Sequence, residues 1–131
     1  MTDVYVDVGA ASIGSGPAWA PDPEAVRALH YLSEAGVRIV LVRTGMAEPG
    51  DELRAVAADV VRAVPDRPRG PSWYLTSDIA RCRGSSARLR TVLIGGPPPN
   101  GSVRRCDVVA RDVQAAAMEI LAADAMAPSR L

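Results

Sequence analysis

Residues 28–45 read ALHYLSEAGVRIVLVRTG, and this stretch decides the fold class. Its first half has apolar residues at helical spacing: Val26, Leu29, His30 and Leu32 fall on or beside one face. Gly36 stands where a helix should stop, because glycine turns the chain into the left-handed region without a Cβ penalty. The second half, Val37 to Val42, is broken only by Arg38 and is otherwise β-branched and aliphatic. A strand with one wet face alternates apolar and polar residues. This run barely alternates, so it suits a strand covered on both faces within a parallel sheet. A helix passing through glycine into such a strand is the return half of a βαβ crossover.

The flanking segments repeat the pattern. Asp3–Val8 is a first strand, and the stretch VYVDVGAAS (residues 4–12) shows it ending in an acid followed by small residues. Residues 9–22 are rich in Gly and Pro and form a loop. Asp22 before Pro23 is an N-cap followed by proline at the first helical position, which opens a helix to about Ala35. In residues 51–64, DELRAVAADVVRAV, the residues Leu53, Val56, Ala57, Val60, Val61 and Val64 follow the 3.6 period and predict a helix over the whole span. A connector rich in Pro and Gly, residues 65–72, leads to WYLTSD (73–78), a third strand with a polar end. Residues 79–90 are partly helical at best. TVLIGG (91–96) is a fourth strand, 97–105 a loop, and CDVVA (106–110) a short fifth strand. Asp112 caps a last helix with Val113, Ala116, Ala117, Ile120 and Leu121 facing inward. The alternation predicts one α/β domain over residues 1–127, three-layered and Rossmann-like, with a mostly parallel sheet and a frayed tail at 128–131.

Composition narrows the function. The formal net charge is zero, which argues against a domain built to grip a nucleic-acid backbone. All fifteen basic residues are arginine, so any mechanism needing an ammonium group must do without one. No apolar run approaches the ~18 residues of a membrane span. Cys82 and Cys106 fit no zinc template, and no basic leader precedes the first strand. The expectation is a reduced, cytoplasmic protein with two free thiols. His30 and Trp73 read as structural residues, and Trp19 lies in the loop after Asp7. Arg81, Arg83, Arg88 and Arg90, with Arg104 and Arg105 nearby in the chain, read as a solvated basic face or as a surface for an acidic partner or phosphate.

In parallel α/β sheets, ligands bind at the carboxyl ends of the strands. That rule gathers Asp7, Arg43 with Thr44, Ser77 with Asp78, and Gly95 with Gly96 into one candidate site. A carboxylate at Asp7 can attack covalently. A hydroxyl at Thr44 can hydrogen-bond a phosphoryl oxygen. A carboxylate at Asp78 can help hold Mg²⁺, which prefers oxygen ligands.

In order and spacing, ALHYLSEAGVRIVLVRTG, WYLTSDIARC with LRTVLIGG, and CDVVARDVQAAAMEIL resemble the haloacid dehalogenase superfamily over roughly residues 3–125. The resemblance implies a small uncapped member with a shortened sheet whose first strand is central, flanked by the second and third. It implies Asp7 as nucleophile, and puts Gly9 where phosphatases of the family carry their general acid/base aspartate. Ala10 and Ala11 fall on the following glycine and threonine. At the second motif either Arg43 replaces the hydroxyl residue or Thr44 supplies it. The third motif needs a cation, usually lysine; its strand-and-helix unit is missing, and Arg67 or Arg69 would have to substitute. At the fourth motif Ser77 and Asp78 stand where two acids are usual. Mg²⁺ would rest on Asp7 and Asp78 alone.

The expected function is therefore a degenerate phosphatase-type site with weak or no turnover, in a protein that acts by binding a small phosphorylated molecule or a protein partner. An exposed sheet edge also offers a route to a homodimer. The alternative is an Mg²⁺-dependent hydrolase in which Asp7 attacks. A further alternative is an unrelated Rossmann-like module in which Arg81–Arg90 hold an anion.

Overall fold

The computed structural model describes residues 2–13, 20–43, 48–82, 88–95 and 106–126. Chain order is β1 (Asp3–Asp7), a 3-10 turn (Val8–Ala11), β2 (Ser12–Ile13), β3 (Ala20–Pro21), α1 (Pro23–Glu34), β4 (Arg38–Val42), α2 (Asp51–Val56), β5 (Asp59–Val61), β6 (Ser72–Thr76), a 3-10 turn (Ile79–Arg81), β7 (Leu89–Ile94), β8 (Val108–Ala110) and α3 (Val113–Met126). Six strands form one sheet in the order β5-β4-β1-β6-β7-β8, every pair parallel. β2 and β3 pair apart as a short antiparallel ribbon. The first strand is central, between the strands of the second and third apolar runs, as the resemblance implies.

Local chemistry accounts for the boundaries. Asp22 accepts a hydrogen bond from the Glu24 N–H, and Pro23 opens α1. Gly36 follows the helix with φ of +92°, a conformation that L residues with a Cβ rarely adopt. Asp112 accepts from the Ala115 N–H and caps α3.

One predicted helix is cut short. The span 51–64 is helical only to Val56; Ala57 is already extended, and Asp59–Val61 form β5. The Ala58 N–H donates to the Ile39 carbonyl at 2.7 Å and the Arg43 N–H to the Val61 carbonyl at 2.9 Å. The open edge of β4 thus offers backbone partners to a segment whose β-branched valines favour extended chain. A strand therefore does lie between the second apolar run and WYLT, although residues 62–71, which follow it, hold no helix.

The two faces of the sheet are covered differently. Val4, Val6, Ile39, Leu41, Leu75 and Val92 point to one face, where they pack with Leu29 and Leu32 of α1, Leu53 of α2 and Ile120 of α3. All three helices lie on that side. On the opposite face Tyr5, Val40, Val42, Tyr74 and Leu89 pack under Val64 of the irregular connector. Leu93 on that face meets Cys82 and Cys106.

Those cysteines are not free thiols: Cys82 and Cys106 are joined in a disulfide, with Cα atoms 5.2 Å apart. The segments after β6 and before β8 meet over the same face beside β7, which brings together residues 24 positions apart. The expectation of a cytoplasmic protein leans in part on free thiols, and the bond removes that support. No helix among the described residues is long and apolar enough to cross a membrane.

Candidate active site

Asp7 ends β1 on the face opposite α1, α2 and α3, and its side chain is 2 % exposed. A buried carboxylate needs donors, and three side chains supply them. The Tyr74 hydroxyl donates to Oδ1 at 2.8 Å. The Thr76 hydroxyl donates to Oδ2 at 2.6 Å. Nε of Arg81 lies 3.4 Å from Oδ2 and donates to the Tyr74 oxygen at 2.9 Å. Tyr74 thus relays between the guanidinium and the carboxylate, accepting from one and donating to the other.

Strand geometry places these groups. β1 and β6 run parallel, with Tyr5 beside Tyr74 and Val6 beside Leu75. Side chains alternate across a strand, so Tyr5, Asp7, Tyr74 and Thr76 share one face. The 3-10 turn after β6 then folds Arg81 back over that face. Asp78 caps that turn: its Oδ1 accepts from the N–H of Ala80, the second residue, at 3.0 Å. The Asp78 N–H donates to the Thr76 hydroxyl oxygen at 3.2 Å, which orients the Thr76 proton toward Asp7.

Electrostatics oppose one another here. Burial pushes the Asp7 carboxyl above its ordinary value; the hydrogen bonds from Thr76 and Tyr74 and the charge of Arg81 pull it back, while the charge of Asp78 adds to the rise. The Tyr74 phenol is pushed up to about 12, by burial first and then by the Asp7 charge and hydrogen bond. A cleft of about 240 Å³ opens beside this pair, lined by Ala63, Val64, Tyr74, Ala80, Arg81 and Cys82.

Of the other predicted site residues, Gly9 and Asp78 stay near Asp7 and the rest are dispersed. Gly9 sits in the 3-10 turn after Asp7 and brings no side chain. Arg43 ends the strand run at β4, where its guanidinium pairs with Glu48 at 3.4 Å. Ser77 and Asp78 are exposed at the end of β6. Thr44 and Gly96 lie outside the described residues. Arg67 and Arg69 line a cavity with Asp3 and Arg38, at the amino end of the sheet and away from Asp7. The cation beside Asp7 is instead Arg81.

Tyr74, Thr76 and Arg81 escape the reading of strand ends. The signal for Tyr74 and Thr76 was present, however: three hydroxyl residues, Ser72, Tyr74 and Thr76, at alternate positions in the fully buried strand SWYLT. A hydroxyl on a buried face needs a partner, and the first strand offers Asp7.

Both carboxylates proposed for Mg²⁺, Asp7 and Asp78, are engaged by protein donors. Among the described residues no three His, Cys, Asp or Glu side chains come together as a metal cluster. Both Asp7 oxygens already accept from hydroxyls, a guanidinium stands beside Oδ2, and one Asp78 oxygen caps a turn. Mg²⁺ is usually held by one or two carboxylates with waters and substrate phosphate, so a metal on Asp7 and Asp78 would compete with these donors.

No family model matches the sequence, and no curated protein sequence matches it. Solved structures do match. The crystal structure of D,D-heptose 1,7-bisphosphate phosphatase from Burkholderia thailandensis aligns over 92 % of this chain and 99 % of its own, with a TM-score of 0.63 and 16 % identity. The phosphatase of the same name from B. bronchiseptica, complexed with magnesium and phosphate, aligns over 93 % and 99 %, with a TM-score of 0.56 and 14 % identity. Both are members of the haloacid dehalogenase superfamily. With β1 central in an all-parallel sheet and these structures superposing along nearly its full length, the chain has the haloacid dehalogenase fold.

Proposed function

We propose that the protein is a binding protein on a phosphatase-type scaffold, its Asp7 centre having lost efficient turnover. The observation that carries this reading is the engagement of the Asp7 carboxylate: Tyr74, Thr76 and Arg81 bind both of its oxygens. Those hydrogen bonds draw electron density from the carboxylate and weaken it as a nucleophile, and its burial limits the approach of an electrophile. Gly9 adds a second deficit. It can move no proton, and general acid–base catalysis is worth about 10²–10⁴-fold. Protein donors on both Asp7 oxygens and on one Asp78 oxygen would compete with Mg²⁺, which supports the same reading. The fold alone does not specify activity. The ligand is a small phosphorylated molecule or a protein partner, taken up by a monomer or a homodimer.

A phosphatase assay decides the matter. The protein and an Asp7→Asn variant are incubated with p-nitrophenyl phosphate, with and without Mg²⁺. Equal and negligible rates in both are expected. Mg²⁺-dependent turnover that disappears in Asp7→Asn would overturn the reading and make Asp7 a working nucleophile.

A further inference from the structure

The geometry points to a second site: the cavity at the amino end of the sheet, between β1, β4 and the connector 62–71, binds a small phosphate ester. It lies at the opposite end of β1 from Asp7, about 13 Å along the strand, and does not depend on how the Asp7 centre is read.

Three observations carry the inference. The cavity has a volume of about 540 Å³, in the range of small-molecule sites. Its charge is unbalanced. Arg38, Arg67 and Arg69 line it against one acid, Asp3. Asp3 is paired with Arg38 at 3.7 Å, and Arg38 also reaches Asp59 at 4.0 Å. Arg67 and Arg69 have no ion-pair partner among the described residues, so two guanidinium groups face the cavity uncompensated. Two such charges match the two of a phosphate monoester, and the planar guanidinium fork suits its oxygens.

The third observation is Tyr5. Its side chain is 6 % exposed and lines this cavity, yet its hydroxyl makes no hydrogen bond among the described residues. A hydroxyl that lines a cavity without a protein acceptor is free to donate to a ligand there. Burial, and then the charge of Asp3, raise the phenol above its ordinary value of 10, so it stays protonated and able to donate. An oxyanion between Arg67 and Arg69 gives that hydroxyl its acceptor.

The walls are held in place. The Asp3 N–H donates to the Pro71 carbonyl at 3.2 Å, and Nη1 of Arg88 donates to the Arg69 carbonyl at 3.1 Å. Pro65 and Pro68 stiffen the connector. Their rings, with that of Tyr5, offer apolar contact to the organic part of an ester, which a bare phosphate lacks.

Calorimetric titration at fixed ionic strength tests the site, with glycerol 3-phosphate, inorganic phosphate and glycerol as separate titrants. Saturable binding of glycerol 3-phosphate is expected, tighter than that of inorganic phosphate, with none for glycerol. The Arg67→Gln/Arg69→Gln double variant should lose at least about tenfold in affinity. Tyr5→Phe should lose a few-fold while its circular dichroism stays that of the parent. Asp7→Asn should bind as the parent does, whatever the phosphatase assay returns. Unchanged affinity in the double variant, binding abolished by Asp7→Asn, inorganic phosphate bound as tightly as the ester, or no saturation by about 10 mM would each overturn the proposal.

Discussion

Tyr74 donates its hydroxyl hydrogen to Asp7 Oδ1 at 2.8 Å, although 67 positions separate the two residues in the chain. The contact exists because β1 and β6 are neighbours in the sheet, in a register that puts Tyr74 beside Tyr5, one pleat before Asp7. It turns a candidate nucleophile into the centre of a hydrogen-bonded network. Tyr74→Phe should leave the buried carboxylate short of a donor and destabilise the protein by about 1–3 kcal/mol, read as a shift of the urea midpoint. Thr76→Val should cost a similar amount. Because both donors serve one carboxylate, the double variant should depart from additivity, by about 0.5–3 kcal/mol in a double-mutant cycle. Strictly additive losses would mean that the two hydroxyls act independently.

Stability should depend on pH through the same carboxylate. The Asp7 pKa is raised in the folded protein above its ordinary 3.8, so the native state favours the protonated form. Its contribution is fully present below pH 3.8 and is lost as pH rises through the folded value. Asp7 should therefore make the unfolding free energy fall across that window and then level off. Tyr74 adds a second window: its ordinary pKa of 10 rises to about 12, so stability should fall again between them. Denaturant unfolding measured against pH checks both, and Asp7→Asn should remove the first slope.

The disulfide should matter more than its single bond suggests. It pins two crossover segments over the face opposite α1, α2 and α3, and it joins residues 24 apart. Loop closure of that length is worth about 3 kcal/mol in the chain-entropy model. Reduction by a dithiol, or Cys82→Ala with Cys106→Ala, should lower the melting temperature accordingly. Arg81 directly precedes Cys82, so releasing that segment should also loosen Arg81 from Asp7. Arg81 lowers the Asp7 pKa; its withdrawal should raise that pKa further, measurable by NMR titration of the carboxyl group in reduced and oxidised protein.

Much of the scaffold was legible in local pattern. Asp22-Pro23 opened α1 and Gly36 closed it, because capping and positive φ are properties of a few adjacent residues. The run Val37–Val42 announced a buried parallel strand, since both of its faces are apolar. The span 51–64 misled because Val60 and Val61 satisfy the helical period and also suit a strand. Only the unpaired edge of β4 decided between them.

The sequence by itself determined β1, β4, β6, β7, β8, α1 and α3, though not β5, together with the carboxylate at the end of β1 and the missing side chain at Gly9. Those follow from periodicity and residue type. Tertiary structure alone decided what Asp7 touches, that Cys82 meets Cys106, and that Arg67 and Arg69 belong to the opposite end of the sheet from Asp7. The physical reason is strand order and register. Whether residues 7 and 74 meet, or 82 and 106, depends on which strands lie side by side and how far each is shifted, and no short window of sequence encodes either.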